Sequence, residues 1–504
     1  MDKQKYAVLI EVASIQQYIF SSNKLKENIG ASYIIEKLLF LENGVMDTIL
    51  KTKYSSKFNL NHWRTDVNDI DITSDCFIGY IGGGNALVFF SNETNAHNFI
   101  KKFSITCLTE FPSLRIGFGV KKDFNLSKYK DEYQLLLQDL KERKAKYISV
   151  VSISKHGITA DCPWSNDAAE VFEVKSKSYI SSASGSKLKA AKISQDNQAE
   201  IYKCLKERYI LTDEIDLLGQ NKEASYIAVV HIDGNGMGKI FSNITNLVDL
   251  RKKSIAVSDK ANNAMTAIIQ HLIEIKTAGK LSDLSFKDEG ILPIRPILVG
   301  GDDVTFICEG RLGIYLAEKF IEFFYDENER KKDKDSPDKL MDGACAGVAI
   351  VKSHFPFYKA VKLAEELCSE AKKASRIISG SYISYYYSAT TFSGSLEELR
   401  GKTHVSSSGI TYFGPYKLFE ATNIHSIEML KSGIKHFRKK WPKNKIMHLR
   451  DIIADSDSSQ KLFEKELSEL ELAFPTGTTA VWDSGQTAFF DQIELFDFYL
   501  ETLL

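Results

Sequence analysis

Asp233 ends the β-rich run YIAVVHID, and Asp302-Asp303 follow two glycines between the apolar runs IRPILV and VTFIC. Carboxylates at strand ends are what nucleotidyl transfer requires. Two divalent ions about 3.5–4 Å apart stabilise the attacking and leaving oxygens, and carboxylates on a rigid frame hold them. Asp233, Asp302 and Asp303 are therefore the candidate catalytic residues and the candidate ligands of two Mg2+ or Mn2+ ions. Gly300 and Gly301 permit positive φ and allow a nucleotide close to the backbone. After Asp233, Gly234-Asn235-Gly236-Met237-Gly238 leads toward an expected helix, whose exposed N–H groups can cradle a triphosphate. Gly-Gly-Asp-Asp is also the composition of an ordinary polar turn. The separate strand-end aspartate favours chemistry over a plain turn.

Other residues are open to two readings. Lys372 and Lys373 fall on an expected helix, where a cation can neutralise a triphosphate or simply suit a solvated helix end. His231 shares a strand face with Asp233 and is expected to pack. The basic stretch Lys431 to Lys445, with Phe437 and Trp441 interleaved, suits either a nucleic-acid grip or a solvated face. The seven cysteines include no CxxC pair. Cys162-Pro163-Trp164 resembles a zinc-ribbon remnant, but no second ligand stands at the needed spacing.

The elements that must position these residues occur twice. YAVLIEVASIQQYIF (Tyr6 to Phe20) aligns with YIAVVHIDGNGMGKIF (Tyr226 to Phe241) with one gap. A helix (Asn23 to Leu41, and Leu250 to Lys276) follows each copy, then two β-rich runs flanking a glycine turn, Phe77 to Phe90 and Ile294 to Cys308. The spacing from Ala13 to Gly82 is 69 positions, and from Asp233 to Gly300 it is 67. Both copies continue with a helix, a glycine-centred strand (Gly117, Gly347) and a long amphipathic helix. The order β-α-β-β-α-β is the ferredoxin-like, split βαβ arrangement. Copy one has Ala13 where copy two has Asp233, and Gly82-Gly83-Gly84-Asn85 where copy two has its aspartates. It reads as scaffold, with Glu11 too far from the strand end to substitute.

The predicted fold class is α+β, with two palm-like domains at residues 1–150 and 222–400. Residues 151–221 form a linker or helical domain, and 401–504 a helical C-terminal domain. Ser178 to Lys192, rich in serine, is expected to be mobile. The charged stretch Asp326 to Lys339 is expected to be a solvated insertion. A chain of 504 residues, 43% hydrophobic and 26% charged, predicts two to four globular domains. The formal net charge of −1 leaves no global field for nucleic acid. No segment has the roughly 18 apolar residues of a membrane span, and the first twenty residues read as a strand rather than a signal peptide. A soluble cytoplasmic protein is expected.

The chain resembles the large palm-domain subunit of type III CRISPR effectors, the CRISPR polymerase or Cas-ten subunit. The likeness rests on IQQYIFSSNKLKENIGAS (Ile15 to Ser32), HIDGNGMGKIF (His231 to Phe241), LVGGDDVTFI (Leu298 to Ile307) and AGVAIVKSHFPFYKAVKLAEELCSEAKK (Ala346 to Lys373). It covers about residues 6–400. It implies that two palms pack face to face, and that the second turns ATP into cyclic oligoadenylates for antiviral defence. It also implies metal roles for Asp233, Asp302 and Asp303, a triphosphate role for Lys372, and other effector subunits and guide or target RNA as partners. The chain departs from the family in having no His-Asp dipeptide, so DNA cleavage by an HD domain is not expected. Only Cys162 remains of the inter-palm zinc element. Two rivals stand beside this reading. A diguanylate-cyclase-like enzyme using GTP would show Glu-Phe where Asp303-Val304 stand. A non-enzymatic scaffold or RNA-binding subunit would not need the intact carboxylates of copy two.

Overall fold

The run KYAVLIEV is buried almost throughout, so it forms a central strand, β1 (Lys5–Val12). This is seen in a computed structural model that describes all residues except 1–4, 56–57, 147–159, 166, 207, 219–224, 287, 333–335, 337–338, 389–393, 407, 422 and 476–479. The rest of copy one comprises α1 (Leu25–Tyr33), β2 (Cys76–Gly82), β3 (Asn85–Phe90), α2 (Glu93–Glu110), β4 (Ile116–Phe124) and α3 (Tyr129–Ala145). The sheet order β2-β3-β1-β4 is the ferredoxin-like order expected from the repeat. Strand β1 runs antiparallel to both neighbours, with Glu11 opposite Asn85 of β3 and Gly117 of β4.

Helix α1 continues into a π-helical turn, Ile34–Leu38. Such turns are rare and concentrate at functional sites.

The serine-rich stretch expected to be mobile is ordered. Ser178–Ile180 is a strand paired with Val171–Glu173, and α4 (Ser182–Asp196) follows. The Ser181 side chain caps α4 by accepting from the Ser184 amide. Serine here is a helix start signal rather than a linker signal. Helix α4 packs on α1 so closely that a Cβ on Gly30 would lie 1.8 Å from the Lys187 carbonyl oxygen.

Copy two comprises β5 (Tyr226–Gly234), α5 (Leu247–Thr277), β6 (Ile294–Val299), β7 (Asp303–Glu309), α6 (Gly313–Phe324), β8 (Ala344–Lys352), α7 (Phe357–Ile377), β9 (Tyr382–Ser388) and β10 (Tyr416–Lys417). Its sheet order is β6-β7-β5-β8-β9-β10. The first four strands repeat the order of copy one, and two more extend the edge. Strand β9, YISYYYS, is rich in β-formers yet was not anticipated from the repeat. It pairs parallel to β8, and α7 supplies the crossover that a parallel pair needs.

Helices α8 (Ile427–Lys440), α9 (Lys443–Ile453), α10 (Asp457–Glu469) and α11 (Phe489–Glu494) share a core that includes Phe437, Trp441, Ile446, Phe463 and Phe489. Phe437 and Trp441 thus serve packing, and neither ring is open for a base to stack on. Lys431 pairs with Glu318 of α6 at 2.5 Å. The charged insertion is not wholly solvated either. Asp326 caps a helical turn at Glu327–Arg330, and buried Glu329 accepts from the Leu340 amide at 2.5 Å. No described helix is long and apolar enough to cross a membrane.

The chain forms two compact units. One holds Met1–Lys203, Gly236–Asn262 and Ile297–Val304; the other holds Cys204–Asn235, Asn263–Pro296 and Thr305–Leu504. The Gly-Gly-Asp-Asp turn therefore belongs to the unit of copy one, a grouping the repeat does not suggest. Arg251, 1% exposed, ties the start of α5 into that unit by donating to the carbonyls of Asp69, Ile78 and Gly79 at 2.7–2.8 Å.

Candidate active site

In the second unit, Asp233 lies at the end of β5 opposite Cys345 of β8. Helix α7 runs close along β8 because residue 347 is glycine: a Cβ there would sit 2.0 Å from the Ala364 carbonyl oxygen. That closeness brings Lys372 into an ion pair with Asp233 Oδ2. His231 is 7% exposed and its Nδ1 bonds Thr305 Oγ1 at 3.0 Å. Burial lowers its imidazole pKa, so the ring is neutral at pH 7 and packs, as its sequence position suggests. Lys373, next on the same helix, is exposed.

Asn235, a candidate phosphate ligand, has a structural task. Its Nδ2 donates to Ser375 Oγ at 2.9 Å and to the Gly380 carbonyl at 3.2 Å. Its backbone exchanges hydrogen bonds with Gly343 and Asp342 at 2.8 and 3.0 Å. The side chain fastens the end of β5 to the loop after α7. The following residues keep their backbone open. Gly236 takes φ 81 and caps the short helix Met237–Ser242, and a Cβ on Gly238 would meet nothing within 4 Å. Gly234 and Met237 are buried.

In the first unit, the turn from Gly300 to Asp303 is closed by the Gly300 amide donating to the Asp303 carbonyl at 2.9 Å. Gly301 takes φ 94, a conformation glycine supplies at least cost. Copy one reaches this turn with groups that sequence reasoning missed. Gln16 Nε2 donates to Asp303 Oδ2 at 2.5 Å. Glu36 Oε1, on the π-helical turn, accepts from the Val299 amide and from Ser32 Oγ, both at 2.9 Å. Desolvation raises the pKa of the partly buried Glu36 carboxyl, while the Val299 amide opposes the rise. A Cβ on Gly83 would lie 4.0 Å from the Gly300 carbonyl oxygen, so the glycine turns of the two copies face each other. The only prior signal was Gln16 itself, which aligns near the glycine loop of copy two.

Copy one keeps a lysine and carboxylate pair of its own. Lys144 of α3 binds Glu11 at 2.8 Å, as Lys372 of α7 binds Asp233. Glu11 aligns with His231, two residues before the position of Asp233, and its lysine already neutralises it. Cys162 is buried, with its sulfur 3.9 Å from Ser184 Oγ.

The donor set suits a hard divalent cation. Mg2+ and Mn2+ take oxygen ligands, and Mg2+ commonly uses one or two carboxylates with waters and substrate phosphates completing the shell. Among the described residues no group of three or more His, Cys, Asp and Glu forms a protein-only cage. The strand order sets β7, opened by Asp303, next to β5, which ends at Asp233. Carboxylates of this kind, few in number, fit an ion whose shell substrate phosphates and water complete.

A 2-3-1-4 sheet with aspartates at the end of its first strand and in its hairpin turn is a palm domain, the fold of nucleotide polymerases and cyclases. Residues 226–377 match the family model described as Cas10/Cmr2, second palm domain. Among solved structures, the Csm1-Csm4 cassette in complex with AMPPNP aligns at TM-score 0.54 and 14% identity, covering 100% of this chain and 70% of that one. The cassette in complex with cA4 aligns at 0.53 and 11%, covering 99% and 70%. That with pppApA aligns at 0.53 and 13%, covering 100% and 69%. At such identity the likeness is one of fold. No curated protein sequence matches the chain.

Proposed function

We propose that the chain is a metal-dependent nucleotidyltransferase that joins ATP into cyclic or linear oligoadenylate messengers, within or akin to a type III CRISPR effector. The observation that carries this is the Asp233–Lys372 pair at the end of β5, the strand that neighbours β7 with its Asp302-Asp303 turn. Support also comes from the Csm1-Csm4 cassettes, solved with an ATP analogue, a linear adenylate and cA4.

Bound Mg2+ or Mn2+ would neutralise phosphate charge and activate the attacking hydroxyl. Asp233 and Asp302 would hold the two ions, and Asp303 would complete or orient the set. Lys372 would transfer from Asp233, its present partner, to the incoming triphosphate. Gly234, Gly236, Met237 and Gly238 offer backbone N–H groups to phosphates, while Gly300 and Gly301 leave room for the nucleotide. Guide or target RNA and other effector subunits are the expected partners, in the cytoplasm.

The test incubates purified protein with each ribonucleoside triphosphate and Mg2+ or Mn2+, resolving products by mass spectrometry, beside the double variant Asp302→Ala with Asp303→Ala. Oligoadenylate from the wild type alone supports the reading. Pyrophosphate release at an undiminished rate in the double variant refutes it. A GTP product would favour the cyclase rival, and no metal-dependent nucleotide binding the scaffold rival.

A further inference from the structure

We infer that Gln16 and Glu36, supplied by the copy that lacks metal carboxylates, are positioning residues that set the geometry of the Asp302-Asp303 turn. The inference deepens the proposed function and rests on it for the role of the turn.

The turn between β6 and β7 is short and carries two glycines, so its backbone has many accessible conformations and little of its own to select one. A metal site tolerates misplacement poorly, and its ligands are normally fixed by outer-shell hydrogen bonds. Here one backbone bond, Gly300 to Asp303, closes the turn from within. Two further restraints come from copy one and grip opposite ends. Glu36 holds the Val299 amide where β6 stops, and Gln16 holds Oδ2 of Asp303 where β7 starts. The Glu36 bond has the ordinary N–H···O length of 2.9 Å, and the Gln16 amide is in direct hydrogen-bond contact with the Asp303 carboxylate.

The chemistry of each residue suits its task. A glutamine amide donates to a carboxylate without bringing a charge that would compete with a cation, as lysine would. A carboxylate on a backbone amide gives a strong, directional anchor. Glu36 stands on the π-helical turn Ile34–Leu38, an irregularity that displaces side chains from their regular helical places. Copy one, though stripped of its own carboxylates, thereby acts on the chemistry of its partner copy.

The test compares wild type, Gln16→Leu, Glu36→Ala, Glu36→Gln and the Asp302→Ala/Asp303→Ala double variant, each as the full chain. Mn2+ is titrated without nucleotide by electron paramagnetic resonance, amide exchange is followed over residues 299–304, and kcat and KM for ATP are measured where turnover occurs. Outer-shell changes commonly cost about 10–100-fold in metal affinity or activity. That loss is expected for Gln16→Leu and Glu36→Ala, in Mn2+ affinity or kcat rather than in KM, with faster exchange at Val299 in Glu36→Ala. Glu36→Gln keeps an oxygen acceptor and should restore most of it. Wild-type Mn2+ affinity and exchange in both variants would overturn the inference. Should Gln16→Leu fail to fold by circular dichroism, Gln16→Met keeps length without the donor and gives the same reading. Undiminished Mn2+ binding in the double variant would instead sink the assignment of the turn as a metal site.

Discussion

On the proposed function, Lys372 is the residue for which substrate and protein would compete. Its ammonium pairs with Asp233, and a hydrogen bond to a charged group contributes about 1.5–3 kcal/mol. Lys372→Ala is therefore expected to raise KM for ATP by about 10–100-fold if the lysine moves to the triphosphate. Steady-state kinetics checks this, and an unchanged KM would leave the lysine a structural counter-ion. Asn235 shows how residue type alone misleads. Its place after Asp233 suggested phosphate binding, but its amide is engaged by Ser375 and Gly380.

At the scale of elements, the approach of α7 to β8 decides whether Lys372 reaches Asp233. A Cβ on Gly347 would meet the backbone of Ala364 at 2.0 Å and of Cys368 at 2.4 Å. Backbone cannot rotate away, so Gly347→Ala must push the helix outward. We expect a loss of about 3 kcal/mol, the upper end for overpacking, read as a lower melting temperature. The corresponding glycine of copy one is Gly117, whose added Cβ would meet the Leu140 and Lys144 side chains at 3.1 Å. Side chains can adjust, so Gly117→Ala should cost much less. Equal losses in the two variants would contradict this account of the helix approach. Both glycines were visible as strand centres in the sequence; which of them faces backbone was not.

At the scale of the whole molecule, the C-terminal helices attach to the extended edge of the second sheet through a buried polar cluster. Asp491 accepts from Tyr416 Oη at 2.5 Å and from the Phe413 amide at 3.0 Å. Burial pushes the Asp491 carboxyl up to about 6 and the Glu494 carboxyl up to about 8, the latter raised further by Asp491 and opposed by Arg400 and Arg450. Both values exceed the about 4 of an unfolded carboxyl. The folded state thus binds more protons, and stability falls as pH rises from about 4 through 8. Glu494→Gln should flatten that fall, melting higher than wild type at pH 8.5 while differing little at pH 4. Parallel melting curves across that range would refute it.

The sequence by itself determined the repeat, the ferredoxin-like order of both sheets and the types of residue at the ends of β5 and β7. These follow from local patterns: buried β-rich runs, glycine turns and amphipathic helices, each set by residues near one another in the chain. Only the tertiary structure decided which partners those residues meet. Gln16 lies 287 positions from Asp303, and Glu36 lies 263 from Val299; no periodicity links residues so far apart. The same holds for Phe437 and Trp441, whose basic neighbourhood suggested nucleic acid until helix packing enclosed both rings. The serine run before α4 misled for the opposite reason, because serine starts helices as readily as it loosens linkers, and the packing of α4 on α1 settled which.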